Sequence, residues 1–199
     1  MQDPTDDTLL KQAGAGDRRA AAMLIRRHSA QILGLASRML NDPVEAEDVV
    51  QDTFIRVWRA AEKWKPGQAK VSTWMCKIAV NLCLDRLRKS RPSTMENAPD
   101  PRDESATPAE QMESQERVVA VQAAMQELPE RQRAALSLCY FQELSNIEAA
   151  EVLDVSVDAL ESLLARGRRA LKNALADARE DLMVSTPLGG SSGFDGTGI

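Results

Sequence analysis

Lys77, Asn81, Asp85 and Arg88 follow one another at spacings of four, four and three, which places them on one face of a helix. Just upstream run Trp64-Lys65-Pro66-Gly67 and Lys70-Val71-Ser72-Thr73-Trp74, and Arg86 and Lys89 extend the cationic block. Cations neutralise phosphates, an amide hydrogen-bonds a base edge, and indole rings stack on bases. Together these suit a single nucleic-acid strand. Taken one by one, Trp58, Trp64 and Trp74 read more simply as core aromatics of a small domain. The charges do not. Residues 53–91 carry ten Lys/Arg against two Asp/Glu, inside a chain of net charge −5. One basic block in an acidic protein implies one polyanion-binding face, with the rest held off nucleic acid.

A second constellation runs from Glu143-Leu144-Ser145 to Lys172. A short helix, a tight turn and a longer helix outline a helix-turn-helix. Leu160, Leu163, Leu164, Gly167 and Leu171 form the buried stripe of the longer helix. Ser156 caps it, and its open face carries Asp158, Ser162, Ala165, Arg166 and Arg169. Small and polar residues early, with arginines later, match a helix that enters the major groove and reaches phosphates or guanine edges. The plainer reading is a helical hairpin with a solvated arginine face. A third face lies on the helix that starts at Asp42. Off its apolar stripe it shows Glu45, Glu47, Asp48, Gln51, Asp52, Ile55, Arg56 and Arg59, and an isoleucine among charges hints at a protein interface.

Covalent and metal chemistry find little support. Cys76, Cys83 and Cys139 make no Cys-x-x-Cys, and His28 is the sole histidine, so the ligands of a zinc site are missing. No phosphate loop and no nucleophile paired with a base is visible. We expect no enzyme activity, no cofactor and no small-molecule substrate. The thiols read as reduced and mostly buried, and His28 as a satisfied core or boundary residue. No apolar run reaches 18 residues, so no membrane insertion is expected. The acidic start Met1-Gln2-Asp3 is no signal peptide, which points to the cytoplasm.

The elements that must position these residues are all helical. Asp17 caps a helix to about Leu40 with the stripe Ala21, Leu24, Ile25, Ile32, Leu35, Ala36 and Met39. Asp42-Pro43-Val44-Glu45 starts the next, and Lys65-Pro66-Gly67 ends it. A third helix runs from Ser72 or Thr73 to Lys89. Residues 92–107, with Pro92, Pro99 and Pro101, read as a flexible linker. Thr107-Pro108-Ala109-Glu110 opens a second domain, with the stripe Val118, Val121, Met125 and Leu128. A helix from Pro129 to about Gln142 follows, then the capping box Ser145-Asn146-Ile147-Glu148 and a last helix to about Asp181. The expected fold is all-α: domains at 1–91 and 108–184, the linker between them, and a disordered tail at 185–199.

The stretch from Asp42 to Arg59 closely resembles conserved region two of the extracytoplasmic-function (group IV) sigma factors of bacterial RNA polymerase. Ser72-Thr73-Trp74, Ile78-Ala79-Val80-Asn81 and Leu84-Asp85-Arg86-Leu87-Arg88-Lys89 continue the likeness. Leu128-Pro129-Glu130-Arg131-Gln132-Arg133 and the helix-turn-helix resemble region four. The resemblance implies that Asp48, Gln51, Asp52, Ile55, Arg56 and Arg59 dock on the β′ clamp helices of core polymerase. It implies that residues 65–74, Lys77 and Asn81 read and unstack the minus-ten element of promoter DNA, where a flipped base must be stacked and hydrogen-bonded to offset its unstacking. The recognition helix would read the minus-thirty-five element, and the surface around Leu136, Tyr140 and Phe141 would meet the β flap. An anti-sigma factor controlling a stress response is the expected regulator. Two departures bear on base reading: Glu161 stands where the family usually has Lys or Arg, and Leu163 where it often has Arg. Asn146-Ile147-Glu148-Ala149-Ala150 also replaces the common Tyr-x-x-Ile-Ala. A stand-alone repressor would leave the basic block unexplained. A mimic that only sequesters an anti-sigma factor would not need Asn81 and Arg166.

Overall fold

The structure, a computed structural model, describes residues 3–67, 69–90 and 109–184, with the stretches 109–117 and 177–184 as backbone only. The expected linker at 92–107, the cap Thr107-Pro108 and the expected tail at 185–199 lie outside the described residues. The first domain contains α1 (Asp6–Gly14), α2 (Arg18–Leu40), α3 (Pro43–Ala60) and α4 (Val71–Ser90). The second contains α5 (Ala109–Gln126), α6 (Glu130–Leu136), α7 (Asn146–Leu153) and α8 (Val157–Val184). No strand occurs among the described residues.

Local chemistry explains most helix starts. Asp17 Oδ1 accepts the N–H groups of Arg19 and Ala20 at 2.8 and 3.3 Å. Asp42 Oδ1 does the same for Val44 and Glu45 at 2.9 and 3.0 Å, with Pro43 at the first helical position. Helix α3 stops at Ala60, short of the expected Lys65-Pro66-Gly67, because a 3₁₀ turn at Ala61–Lys63 takes over. Gly67 then turns the chain at φ 87°, a conformation that favours glycine. Helix α6 continues as a wider π turn, Ser137–Phe141, rather than as α-helix to Gln142.

Helix α1 was not expected from the sequence. Thr5 caps it, and Asp6 and Asp7 sit favourably at the positive end of its dipole. Leu9 and Leu10 anchor it in the core. Its acids also tie it down: Asp6 binds Arg27 Nη1 and His28 Nε2, both at 2.7 Å, and Trp64 Nε1 donates to Asp7 at 2.6 Å. His28 is thus a buried, partnered core histidine.

Leu24, Ile32, Leu35 and Met39 of α2 meet Val49 and Val57 of α3 and Met75, Ala79 and Val80 of α4 in the first core. Ile25, expected on that stripe, is instead exposed at the edge of α2. In the second domain Met125, Leu128, Leu138, Val152, Leu153, Leu160 and Leu164 are buried together, in one cluster with the core of the first. Val118, expected there, is exposed; the buried run of α5 begins at Ala124.

Cys76 and Cys83 lie within the first core, and burial pushes both thiols up to about 12. Because the thiolate is the reactive form, neither should react with a thiol reagent at pH 8 in the folded chain. Cys139, half-buried and raised less by burial, should react slowly. Counting labelled thiols by mass before and after denaturation checks this: one is expected in the native chain, and all three after unfolding.

Candidate nucleic-acid interface

The basic block is built on α4 and the loop before it. Trp64 and Trp74 pack ring to ring, with centroids 4.8 Å apart, and the Asp7 bond fixes Trp64. This pins both ends of the loop at 65–74. Both tryptophans are half-buried, so they combine a packing role with partly open faces. Lys65, Lys70 and Asn81 are exposed, and Ser72 is partly so. Val71 and Thr73, expected at the nucleic-acid surface, are buried at the start of α4. Arg88 and Lys89 are exposed near the end of α4, with Arg88 bonded to Asp85 at 2.8 Å.

Arg86 is committed elsewhere. It binds Glu45 at 2.7 Å and Asp52 at 2.8 Å, both on α3. The two carboxylates raise the guanidinium's pKa against the opposing effect of its partial burial. Arg86 therefore fastens α4 to the acidic face of α3. Beside this tie, Asp48, Gln51, Ile55, Arg56 and Arg59 stand exposed on α3. Phe54 and Trp58 stack beneath them at 5.8 Å. Sequence reasoning missed the Arg86 bridge, since the arginine looks like one more phosphate ligand.

In the second domain the capping box is complete. Glu148 N–H donates to Ser145 Oγ, and Ser145 N–H donates to Glu148 Oε2 at 3.0 Å. Lys70, followed by the Ser145 donors, holds the Glu148 carboxyl down at about 2. Asp154 turns the chain at φ 51° between α7 and α8. Ser156 Oγ accepts the N–H of Ala159 at 3.2 Å. Asp158, Ser162, Ala165, Arg166 and Arg169 are exposed along α8, while Leu160 and Leu164 are buried. Glu161 leaves this open face for its flank. It accepts from Asn146 Nδ2 at 3.4 Å and borders a hollow with Tyr140, Ala165 and Arg168. Leu136, expected on a protein-binding surface, is buried under Gly167. Tyr140 and Phe141 are exposed; Arg168 donates to the Tyr140 hydroxyl at 3.1 Å, and the Arg38 guanidinium lies 4.2 Å over the Phe141 ring.

Two helical domains, one with a basic block and one carrying a helix-turn-helix, define a DNA-binding protein. Residues 24–92 match the Sigma-70 region 2 family and residues 119–171 match Sigma-70, region 4. The chain is 33 % identical over 179 residues to the ECF RNA polymerase sigma factor SigW of Bacillus subtilis (strain 168), covering 84 % of this chain and 95 % of that one. It is 34 % identical over 171 residues to the ECF RNA polymerase sigma factor SigM of Mycobacterium tuberculosis (strain ATCC 25618 / H37Rv), covering 86 % and 85 %. Among solved structures, CnrH in complex with the cytosolic domain of CnrY superposes with a TM-score of 0.65 at 28 % identity, covering 87 % of this chain and 97 % of that one. The sigma factor RpoE of Bartonella quintana, in complex with the anti-sigma factor NepR, shares the fold, with a TM-score of 0.61 at 20 % identity over 78 % and 96 % of the two chains.

The chain belongs to the extracytoplasmic-function sigma factors. It binds core RNA polymerase and directs it to promoter DNA, and it is a transcription initiation factor rather than an enzyme. No described helix is long and apolar enough to cross a membrane.

Proposed function

We propose that the labour is divided among three surfaces. The exposed face of α3, with Asp48, Gln51, Ile55, Arg56 and Arg59, docks on the clamp helices of the β′ subunit, and Asp52 shapes that face through Arg86. Lys65, Lys70, Ser72, Trp74, Lys77, Asn81, Arg88 and Lys89 engage and melt the minus-ten element, with Val71 and Thr73 seating the loop from inside. Ser156, Asp158, Ser162, Ala165, Arg166 and Arg169 meet the minus-thirty-five element, and Tyr140 and Phe141 face the β flap. The chain acts in the cytoplasm, as a region-two domain at 1–91 and a region-four domain at 108–184, in a stress response released from an anti-sigma factor. The neighbouring CnrH and RpoE structures, each a complex with such a partner or a cytosolic domain, support that last element. The observation that carries the promoter reading is Asn81. It is an exposed amide on α4, one turn beyond Lys77 and downstream of a loop that the packed Trp64 and Trp74 hold in place.

A base-edge reader governs choice of sequence, whereas a phosphate ligand governs affinity for every sequence. Asn81→Ala is therefore expected to cost roughly 1–3 kcal/mol of discrimination between matched and mismatched minus-ten strands. Lys65→Ala should weaken both alike and flatten the salt dependence by about one charge. Fluorescence anisotropy of polymerase holoenzyme on both strands, over a salt series, separates these effects. Equal losses on the two strands for Asn81→Ala would refute the division.

A further inference from the structure

We propose that this chain, without any partner, closes on itself, so that carboxylates of the helix-turn-helix occupy the lysines needed by the melted strand. The inference rests on the promoter reading of Lys70 and Lys77 given above. Lys77 Nζ bonds Asp154 Oδ1 at 2.5 Å and the Glu151 carbonyl at 2.9 Å, bridging α4 to the C-terminal end of α7. Lys70 pairs with Glu148 at 3.0 Å, at the other end of the same helix. Both ends of α7 thus carry an acid against a lysine of the first domain. A carboxylate and a phosphate compete for the same ammonium, so these pairs and a bound strand exclude one another.

A second seam explains why the domains meet in this orientation. The last carbonyls of a helix lack partners within it, and the second domain supplies donors to those of α2. Gln126 Nε2 donates to the Arg38 carbonyl at 2.9 Å, and Arg133 donates to that of Met39. Arg133 also bonds the Gln126 and Leu128 carbonyls of its own domain, which brings its charge to the negative end of the α2 dipole. Gln142 donates to the Gln31 carbonyl, and Arg38 covers Phe141, part of the flap-facing surface. The seam joins buried apolar residues of both domains in one cluster, but its polar groups are imperfectly paired. Arg38 Nε, Arg133 Nε and Gln142 Oε1 are buried without partners. Such atoms regain hydrogen bonds in water, so opening the contact relieves a cost that the closed form carries.

The test uses the full chain. Glu148→Gln keeps a capping box, since glutamine serves at that position, and Asp154→Asn tolerates the left-handed turn. The double variant therefore removes both charges while preserving both local structures, which circular dichroism verifies. Glu47→Gln/Glu62→Gln, at exposed carboxylates of the first domain outside both seams, is the charge-matched control. The probe is a short fluorescein-labelled oligo-dT strand. Wild type is expected to scatter X-rays as one compact particle at 0.15 M salt. The double variant is expected to bind oligo-dT roughly three- to tenfold more tightly than the control, the worth of two exposed ion pairs. An extended two-body scattering profile for wild type overturns the closure. A double variant that binds no better than the control overturns the masking. Adding Lys77→Ala to the double variant tells the two readings apart. If binding does not fall there, the strand assignment of Lys77 has failed, whereas a fall without prior tightening condemns the closure alone.

Discussion

Replacing Asp48 and Ile55 with arginine together is expected to abolish retention of this sigma factor by core polymerase while leaving both domains folded. Ile55 is a large apolar side chain, 45 % exposed, set among the exposed Asp48, Gln51, Arg56 and Arg59 of α3. Its stripe-facing neighbours Val49, Phe54 and Val57 are buried, so the exposure is a property of the face and not of a loose helix. Interface energy concentrates in a few such anchors, each worth about 2 kcal/mol or more, or roughly 30-fold in Kd. An arginine there adds an unpaired charge to the anchor's loss, and the second arginine reverses the local field. Asp52 is the poorer probe because its carboxylate also holds Arg86, so its replacement would loosen α4 from α3. Exposed substitutions away from such ties cost within about 0.5 kcal/mol of stability, so the melting curve should hardly move. Co-purification with core polymerase, followed by competition against an unmodified copy, is the measurement. Wild-type affinity in the double variant would mean that the docking face lies elsewhere.

The parts of the fold that could be read from the sequence are those decided within one turn of helix. Asp17, Asp42-Pro43 and Ser145-Glu148 each satisfy N–H groups two or three residues away, so a window of a few residues contains both partners. The helix-turn-helix was legible for the same reason, and so were the exposed positions of Asn81 and Ile55. Helix α1 was not. Only Leu9 and Leu10 mark its buried side, and its remaining supports are Arg27, His28 and Trp64, at separations of 21, 22 and 57 residues. Arg86 reads as part of a basic block because its carboxylates lie 41 and 34 residues upstream. The same holds for Lys77 and Asp154, which are 77 residues apart. Composition finds a cation, but only the tertiary fold tells whether a strand of DNA, a neighbouring helix or the other domain meets it.

Gly167 shows how a residue without a side chain governs the minus-thirty-five helix, and Gly167→Val should be among the most damaging single changes in the second domain. The sequence places this glycine on the buried stripe of α8, where alanine or leucine would serve helix formation better. The structure supplies the reason. A Cβ here would lie 3.1 Å from Leu136 Cδ1 and 3.4 Å from Gln132 Cβ, both on α6. Glycine thus lets α6 and α8 approach closely, with Leu136 filling the space a side chain would take. Alanine needs Leu136 to move by a few tenths of an ångström, and its better helix propensity, about 0.8–1 kcal/mol, offsets much of that cost. Valine adds two methyl groups against the buried Leu136 and the Gln132 side chain. Overpacking of this kind costs about 1–3 kcal/mol, and the strain is relieved by tilting α8, which carries Ser162, Arg166 and Arg169. Gly167→Val should therefore lower the unfolding midpoint of the second domain and weaken specific minus-thirty-five binding. Its affinity for core polymerase through α3 should stay intact. Gly167→Ala should remain close to wild type in all three measurements. If valine is tolerated as well as alanine in thermal unfolding, the close approach of α6 and α8 does not exist in solution.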